Sequence, residues 1–75
     1  MKVHYDHEVD ALYMNLSEES PEGVIEITEG LNVDTTADGK IVGIEILNAS
    51  KKIDMQTILS YTLQLDKDVI THKTA

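Results

Sequence analysis

With 75 residues, no cysteine and a net charge of −8, the chain predicts a single small acidic domain. The absence of cysteine excludes a disulfide framework, a cysteine-ligated zinc site and thiol chemistry. Fourteen acidic residues against six basic ones repel phosphate backbones and anionic lipids, which argues against nucleic-acid binding and against membrane binding.

Two short apolar–polar alternations open the chain. Residues 2–5 alternate weakly and residues 11–17 alternate clearly, so both segments are predicted as strands. The five residues between them, DHEVD, have the length of a hairpin loop. Asp6 and Asp10 at its two ends are expected to accept hydrogen bonds from backbone N–H groups one or two residues further on. A charged turn between two strands is the simplest prediction for this stretch.

Three further strands are predicted in the middle of the chain. The polar loop EESPEG, which carries the single proline, precedes a strand at VIEI, and TEG separates that strand from LNVDTT. Asp38-Gly39 then supplies the positive φ angles that a tight hairpin turn needs. The fifth strand, KIVGIEILN, is apolar on one face and half apolar on the other, which is typical of a central strand or of one covered on both sides. Gly43 within it indicates a bulge or a close packing contact.

The periodicity becomes helical from Asp54 onward. A helix over residues 54–65, with Asp54 as its N-cap, is predicted from apolar positions at helical spacing, namely Met55, Ile58, Leu59, Thr62 and Leu63. Residues 66–75 form either a short sixth strand or a frayed tail. The predicted fold class is α+β: an antiparallel β-meander of about five strands within residues 2–48, with one C-terminal helix packed on the sheet, in a single domain of residues 1–75.

Chain length also carries an expectation about the oligomeric state. Since a core of this size rarely supplies more than about 3–5 kcal/mol, we expect a homodimer. The N-terminus has no apolar leader and no stretch is long enough to span a bilayer, so a cytoplasmic location is expected.

Two stretches, YDHEVDALYMNL and GLNVDTTADGKIVGIEILNAS, resemble a known family. It is the small prokaryotic family catalogued as domain-of-unknown-function family 2283, whose members read tyrosine-aspartate and then aspartate-alanine-leucine-tyrosine early, and glycine-isoleucine-glutamate-isoleucine-leucine later. The resemblance implies a very small acidic bacterial or archaeal protein without established catalytic residues. It also suggests a place in toxin–antitoxin-like gene pairs.

The N-terminal turn holds the candidate metal ligands, which are His4, Asp6, His7, Glu8 and Asp10. The acids match the first, third and fifth positions of a calcium loop, but Ala11 and Ser17 stand where that loop needs glycine and a bidentate glutamate. Two histidines with a carboxylate suit zinc or nickel, although their spacing does not force them to converge. A solvated charged turn is favoured, and a metal-assisted enzyme that uses this cluster is the alternative.

Signatures of catalysis are weak in the rest of the chain. Glu45 interrupts an apolar strand and is the most suggestive acid–base candidate, yet a half-exposed strand face accommodates a glutamate equally well. No serine lies in a Gly-x-Ser-x-Gly context and no phosphate-binding loop is present. We therefore assign no catalytic residue and no cofactor, and favour a protein that is not an enzyme.

Protein binding is the favoured function class. An acidic sheet with an exposed edge strand can add a strand from a partner or set its acidic face against a basic protein. The predicted interaction residues are Glu45, Tyr13 and Asp34. The sharper form is an antitoxin-like role, in which the acidic surface covers the phosphate-binding groove of a basic ribonuclease. A structural homo-oligomer of unknown role is the other alternative.

Overall fold

The computed structural model describes residues 1–60, which form one five-stranded antiparallel sheet and two short helices. The strands and helices are β1 (Lys2–Asp6), β2 (Ala11–Asn15), β3 (Gly23–Thr28), β4 (Leu31–Thr35), β5 (Ile41–Leu47), α1 (Ala49–Lys52) and α2 (Met55–Leu59). The predicted α+β class is confirmed, and each of the five predicted strands is present.

The strand order is β1-β2-β5-β4-β3, with every neighbouring pair antiparallel. This order corrects the predicted meander, in which β2 would lie beside β3. β5 occupies the middle of the sheet, where Val42 and Gly43 are buried, as its apolar residues on both faces predict. The prediction of a central fifth strand is thus confirmed. Strands β2 to β5 form a Greek-key arrangement.

The connection between β2 and β3, residues 16–22, carries the chain past the ends of β5 and β4 to the far edge of the sheet. The N–H of Leu16 donates to the carbonyl of Val42 at 2.8 Å, and the N–H of Glu22 donates to the carbonyl of Thr35 at 2.8 Å. These two bonds fix the connection to β5 and then to β4. The same path makes β3 an edge strand.

The turn between β4 and β5 confirms the Asp38-Gly39 signal. Gly39 has a φ of 87°, and its N–H donates to the carbonyl of Thr36 at 3.1 Å. The hydroxyl of Thr36 donates to the Asp38 carboxylate and accepts from the N–H of Lys40 at 3.0 Å. The turn is therefore closed by its own polar side chains.

The helix predicted over residues 54–65 is present at its start as α2, and α1 is a further short helix that precedes it. Asp54 is the N-cap of α2 as predicted, since its Oδ1 accepts from the N–H of Gln56 at 3.0 Å. α2 ends at Leu59 because Ser60 leaves the helical region, with φ −132° and ψ 38°. The rest of the predicted helix and the predicted tail, residues 61–75, lie outside the described residues.

One face of the sheet carries most of the apolar side chains. A row of partners in the strand register crosses all five strands at Val3, Met14, Ile44, Val33 and Ile25. α2 lies over the β1–β2 end of this face, around a cavity of about 640 Å³ lined by Val3, Tyr5, Leu12, Met55 and Ile58. α2 and the sheet thus line one cavity, on the side where the apolar stripe of α2 predicts the helix to lie.

The polar face has its closest contact where Tyr13 of β2 lies across Gly43 of β5. A Cβ placed on Gly43 would overlap the hydroxyl and Cζ of Tyr13 and would lie 3.0 Å from its Cε1. The close packing contact that Gly43 predicts is therefore present. Glycine is required here because a side chain would occupy the space of the tyrosine ring.

We expect Gly43→Ala to destabilise the fold by about 1–3 kcal/mol, because the new methyl group displaces the Tyr13 ring from the central strand. Urea unfolding followed by circular dichroism measures the change. Gly23→Ala is the matched control, since a Cβ there meets only Thr35 Oγ1 at an ordinary 3.6 Å. In a Tyr13→Ala background the cost of Gly43→Ala should vanish, and a cost that persists would refute the ring contact as its cause.

Candidate functional site

The candidate metal ligands are spread along β1 and the turn that follows it. His4 and Asp6 lie on β1, His7 and Glu8 in the turn, and Asp10 at its end. Within residues 1–60, no group of three or more histidine, cysteine, aspartate and glutamate side chains could hold a metal ion. The metal-assisted alternative therefore gains no site from the described part of the chain.

The two aspartates at the ends of the turn make different bonds. Asp6 behaves as predicted, since its Oδ1 accepts from the N–H of Glu8 at 3.0 Å. Asp10 instead bonds 40 residues along the chain, where its Oδ1 accepts from the N–H of Ser50 at 3.0 Å and its Oδ2 from the Ser50 hydroxyl at 2.8 Å. The backbone carbonyl of Asp10 also accepts from the N–H of Ala49 at 3.0 Å. The predicted local bond of Asp10 is thus wrong.

Tyr5 completes this arrangement, since its hydroxyl donates to Oδ1 of Asp10 at 2.7 Å. We call Tyr5, Asp10 and Ser50 the Asp10 clamp. Asn48, the residue at the N-cap position of α1, makes no side-chain cap bond. Asp10 supplies the missing acceptor to the N–H of Ser50, in the first turn of α1, and so caps that helix from the β1–β2 hairpin.

The clamp sets the ionisation of both its acidic groups. Hydrogen bonds from the Tyr5 hydroxyl and then from Ser50 lower the pKa of Asp10 below its ordinary 3.8, and the bond to Asp10 raises the pKa of Tyr5 above its ordinary 10.0. At neutral pH the carboxylate is ionised and the phenol is protonated. Both pKa values move away from neutrality, which is the opposite of what general acid–base catalysis requires. The bonds of the clamp join the β1–β2 hairpin to α1.

A second polar pair joins the three central strands on the polar face. The hydroxyl of Tyr13 donates to Oδ2 of Asp34 at 2.8 Å, so the ring spans β5 between β2 and β4. We call Tyr13 and Asp34 the Tyr13 bridge. The hydrogen bond to Asp34 is the largest cause of the raised pKa of Tyr13. A phenol held protonated in this way acts as a donor to the carboxylate and not as a base.

Glu45 lies directly opposite Tyr13 in the β2–β5 ladder. Its Oε1 accepts from Nδ2 of Asn32 on β4 at 3.2 Å, so its partner is a side-chain amide on the neighbouring strand. The structure therefore brings the three predicted interaction residues, Glu45, Tyr13 and Asp34, together on the polar face of the sheet. The two residues that sequence reasoning missed are Asn32 and Ser50, which become partners only through the strand order and the position of α1.

A cavity of about 630 Å³ borders this group, between β1–β2 and the connection that follows β2. Its lining includes Lys2, His4, Tyr13 and Glu19. The lining contains both positively and negatively charged side chains. Oε2 of Glu19 also lies 3.9 Å from Nζ of Lys40. Ser17 also lines the cavity, and its hydroxyl oxygen accepts from the N–H of Glu19 at 3.1 Å.

The far edge of the sheet has the most exposed apolar surface on any described strand. All six residues of β3 are exposed, among them Val24 at 68%, Ile25 at 52% and Ile27 at 60%. Within residues 1–60, β4 is the only strand that pairs with β3. The outer backbone groups of β3 are therefore available to a further strand.

Neither α1 nor α2 is long and apolar enough to cross a membrane, and no other helix lies in residues 1–60.

Fold and site together define a small α+β domain whose conspicuous polar side chains hold strands and a helix in place. The family described as "Protein of unknown function (DUF2283)" matches residues 2–50, and the chain belongs to this family. No curated protein and no solved structure matches the chain. The resemblance seen in the sequence is confirmed. The matched range includes every member of the Asp10 clamp and of the Tyr13 bridge.

We expect Asp10→Asn to lower the melting temperature by several degrees, because the amide cannot accept all three bonds of the carboxylate. Asp6→Asn is the matched control, since Asp6 accepts only the local bond of the turn and should change the melting temperature little. Differential scanning calorimetry at pH 7 measures both variants. Equal losses for the two would contradict a special role for Asp10.

The same clamp predicts a pH dependence. Because the folded-state pKa of Asp10 is lowered, its contribution to stability is present above the ordinary value of 3.8 and is lost as the pH falls through the folded-state pKa. Unfolding free energies of the wild type and Asp10→Asn should therefore differ at pH 7 and converge at the acid end of a pH series. A constant difference across the series would show that ionisation of Asp10 is not involved.

Proposed function

We propose that the protein is a non-enzymatic protein-binding module, which adds an extended segment of a partner to the free edge of β3. The observation that carries this proposal is the exposure of all six residues of that edge strand, three of them large and aliphatic. Natural proteins usually protect such an edge with charge, proline or a covering element, because its unpaired N–H and C=O groups are a template for another strand.

The other edge of the sheet supports the choice of β3. β1 carries the charged or polar side chains Lys2, His4 and Asp6 at alternate positions. α2 lies against its apolar side, where Met55 faces the same cavity as Val3. β1 therefore carries polar or charged side chains at alternate positions and faces α2 across a cavity, whereas β3 carries one charged side chain, Glu26, and no described helix lines a cavity with it.

Strand addition gives affinity through main-chain hydrogen bonds and specificity through alternate side chains. The regular part of β3 is short, because its register with β4 shifts between Glu26 and Thr28. Partner residues are thus expected to pair along Gly23 to Glu26, with modest affinity. An antitoxin-like role against a basic ribonuclease is the sharper form of this proposal, and interaction through Glu45, Tyr13 and Asp34 stays a prediction.

The test uses the full 75-residue chain and a displayed library of random ten-residue peptides. Peptides selected on the chain should slow amide hydrogen exchange in residues 23–28 and leave exchange in β1 unchanged. Synthetic copies of the same peptides that are N-methylated at alternate residues should lose binding at least about ten-fold, because they keep every side chain but lose the donors that strand pairing needs.

A His4→Ala/His7→Ala double variant is the matched control on the protein. It should bind the selected peptides within a few-fold of the wild type, because both histidines lie at the opposite edge of the sheet. Loss of binding together with loss of a bound metal would favour the metal-assisted alternative. Peptides that slow exchange elsewhere, or that bind equally well when N-methylated, would refute strand addition at β3.

A further inference from the structure

We propose that the segment recognised by β3 is basic: an extended chain with lysine or arginine on the polar face of the sheet and apolar residues on the other face. This inference rests on the proposed function and specifies the chemistry of the partner at that same edge. It follows from the charge around β3 and from the rows of side chains that end there.

The segment that contains β3 is acidic. Residues 17–30, which include β3, hold five glutamates and no lysine. Within residues 1–60, the ion pairs join Lys40 to Glu19 and to Asp38, all three of them exposed, so Glu26 in the middle of the edge has no ion-pair partner there. An incoming strand that places a basic side chain opposite Glu26 gains a cross-strand pair, and one that places an acid there is repelled.

Two rows of side chains cross the sheet and end at β3. On the polar face, the strand register aligns His4, Tyr13, Glu45, Asn32 and Glu26, so a residue paired with Glu26 would continue this row. Its neighbour in sequence would continue the apolar row that ends at Ile25, since successive side chains of a strand point to opposite faces. The recognised segment therefore carries a basic residue opposite Glu26 on the polar face, which Val24 shares, and an apolar residue beside it on the other face.

A second copy of the chain is a poor occupant of this edge. Pairing two β3 strands would bring together two copies of residues 17–30, each with five glutamates, of which Glu26 lies on the strand, and with no lysine. Like charges placed directly opposite one another destabilise strand pairing. The acidic surroundings of β3 therefore oppose self-association at the edge and favour a strand of the opposite charge.

The test compares three nine-residue peptides that alternate valine with lysine, with glutamine or with glutamate, each bound to the full chain at low salt. The lysine peptide should bind about five-fold or more tightly than the glutamine peptide, and this preference should shrink in about 0.5 M salt as charges are screened. The glutamate peptide should bind more weakly than both. Slowed amide hydrogen exchange in residues 23–28 shows that a peptide binds at β3.

Glu26→Gln should reduce the preference for the lysine peptide about two- to five-fold. Glu8→Gln is the matched control: it removes the same charge from an exposed turn at the other end of the sheet order and should leave the preference unchanged. A preference that survives in Glu26→Gln would show that the net charge of the chain acts without a specific position, and would overturn the inference.

The remaining outcomes separate this inference from the proposed function. If the lysine and glutamine peptides bind equally while both slow exchange in β3, strand addition stands and the basic partner is overturned. If no peptide slows exchange in β3, both are overturned. If β3 becomes protected without peptide as protein concentration rises, the occupant is a second copy and the basic partner is again overturned.

Discussion

The pairing of β2 with β5 is the constraint on which the rest of the sheet depends. The other pairings, β1 with β2, β3 with β4 and β4 with β5, join strands that follow one another in the chain. The pairing of β2 with β5 instead places Ala11 opposite Leu47. Pairing over such a separation costs more loop-closure entropy than a hairpin does, so the contacts around this pairing must offset that cost. The strongest contacts lie there: Leu12 is fully buried, the Tyr13 ring crosses Gly43, and the Asp10 clamp ties the start of β2 to α1.

The strands and their turns could be predicted from the sequence, but their order could not be predicted from chain proximity. Alternation locates all five strands and Asp38-Gly39 locates a turn, because both signals are local. The meander was inferred from short connections, which favour neighbours in sequence only on average. The two apolar faces of β5 already contradicted it, since a meander would place β5 at an edge. A pattern that reports burial was the better guide to strand order than connection length.

Some polar contacts join residues that are close in the chain, and others join residues that are far apart. Only contacts of the first kind could be predicted from the sequence. The bond from Glu8 to Asp6 was predicted because turn chemistry acts within two residues, and the close contact at Gly43 was predicted because a glycine in a strand indicates one. The partner of Asp10 could not be predicted, since Ser50 approaches it only after β5 has paired with β2 and Asn48, at a φ of 53°, has started α1. An acidic cluster that suggests chemistry in the sequence is, in the described structure, a turn and a helix cap.

The acidity of the chain and the exposed edge of β3 together determine which strands can pair with the sheet. A sheet that leaves Val24 and Ile25 exposed on opposite faces of an edge strand is at risk of pairing with copies of itself. The five glutamates of residues 17–30 oppose such pairing without covering the backbone groups, whereas a helix or a proline would block every partner. Under the proposed strand addition, these glutamates leave the edge open to a partner strand and disfavour an acidic one. The same negative charge that argues against nucleic-acid binding would then select among proteins, which ties the composition of the chain to the strand order of its sheet.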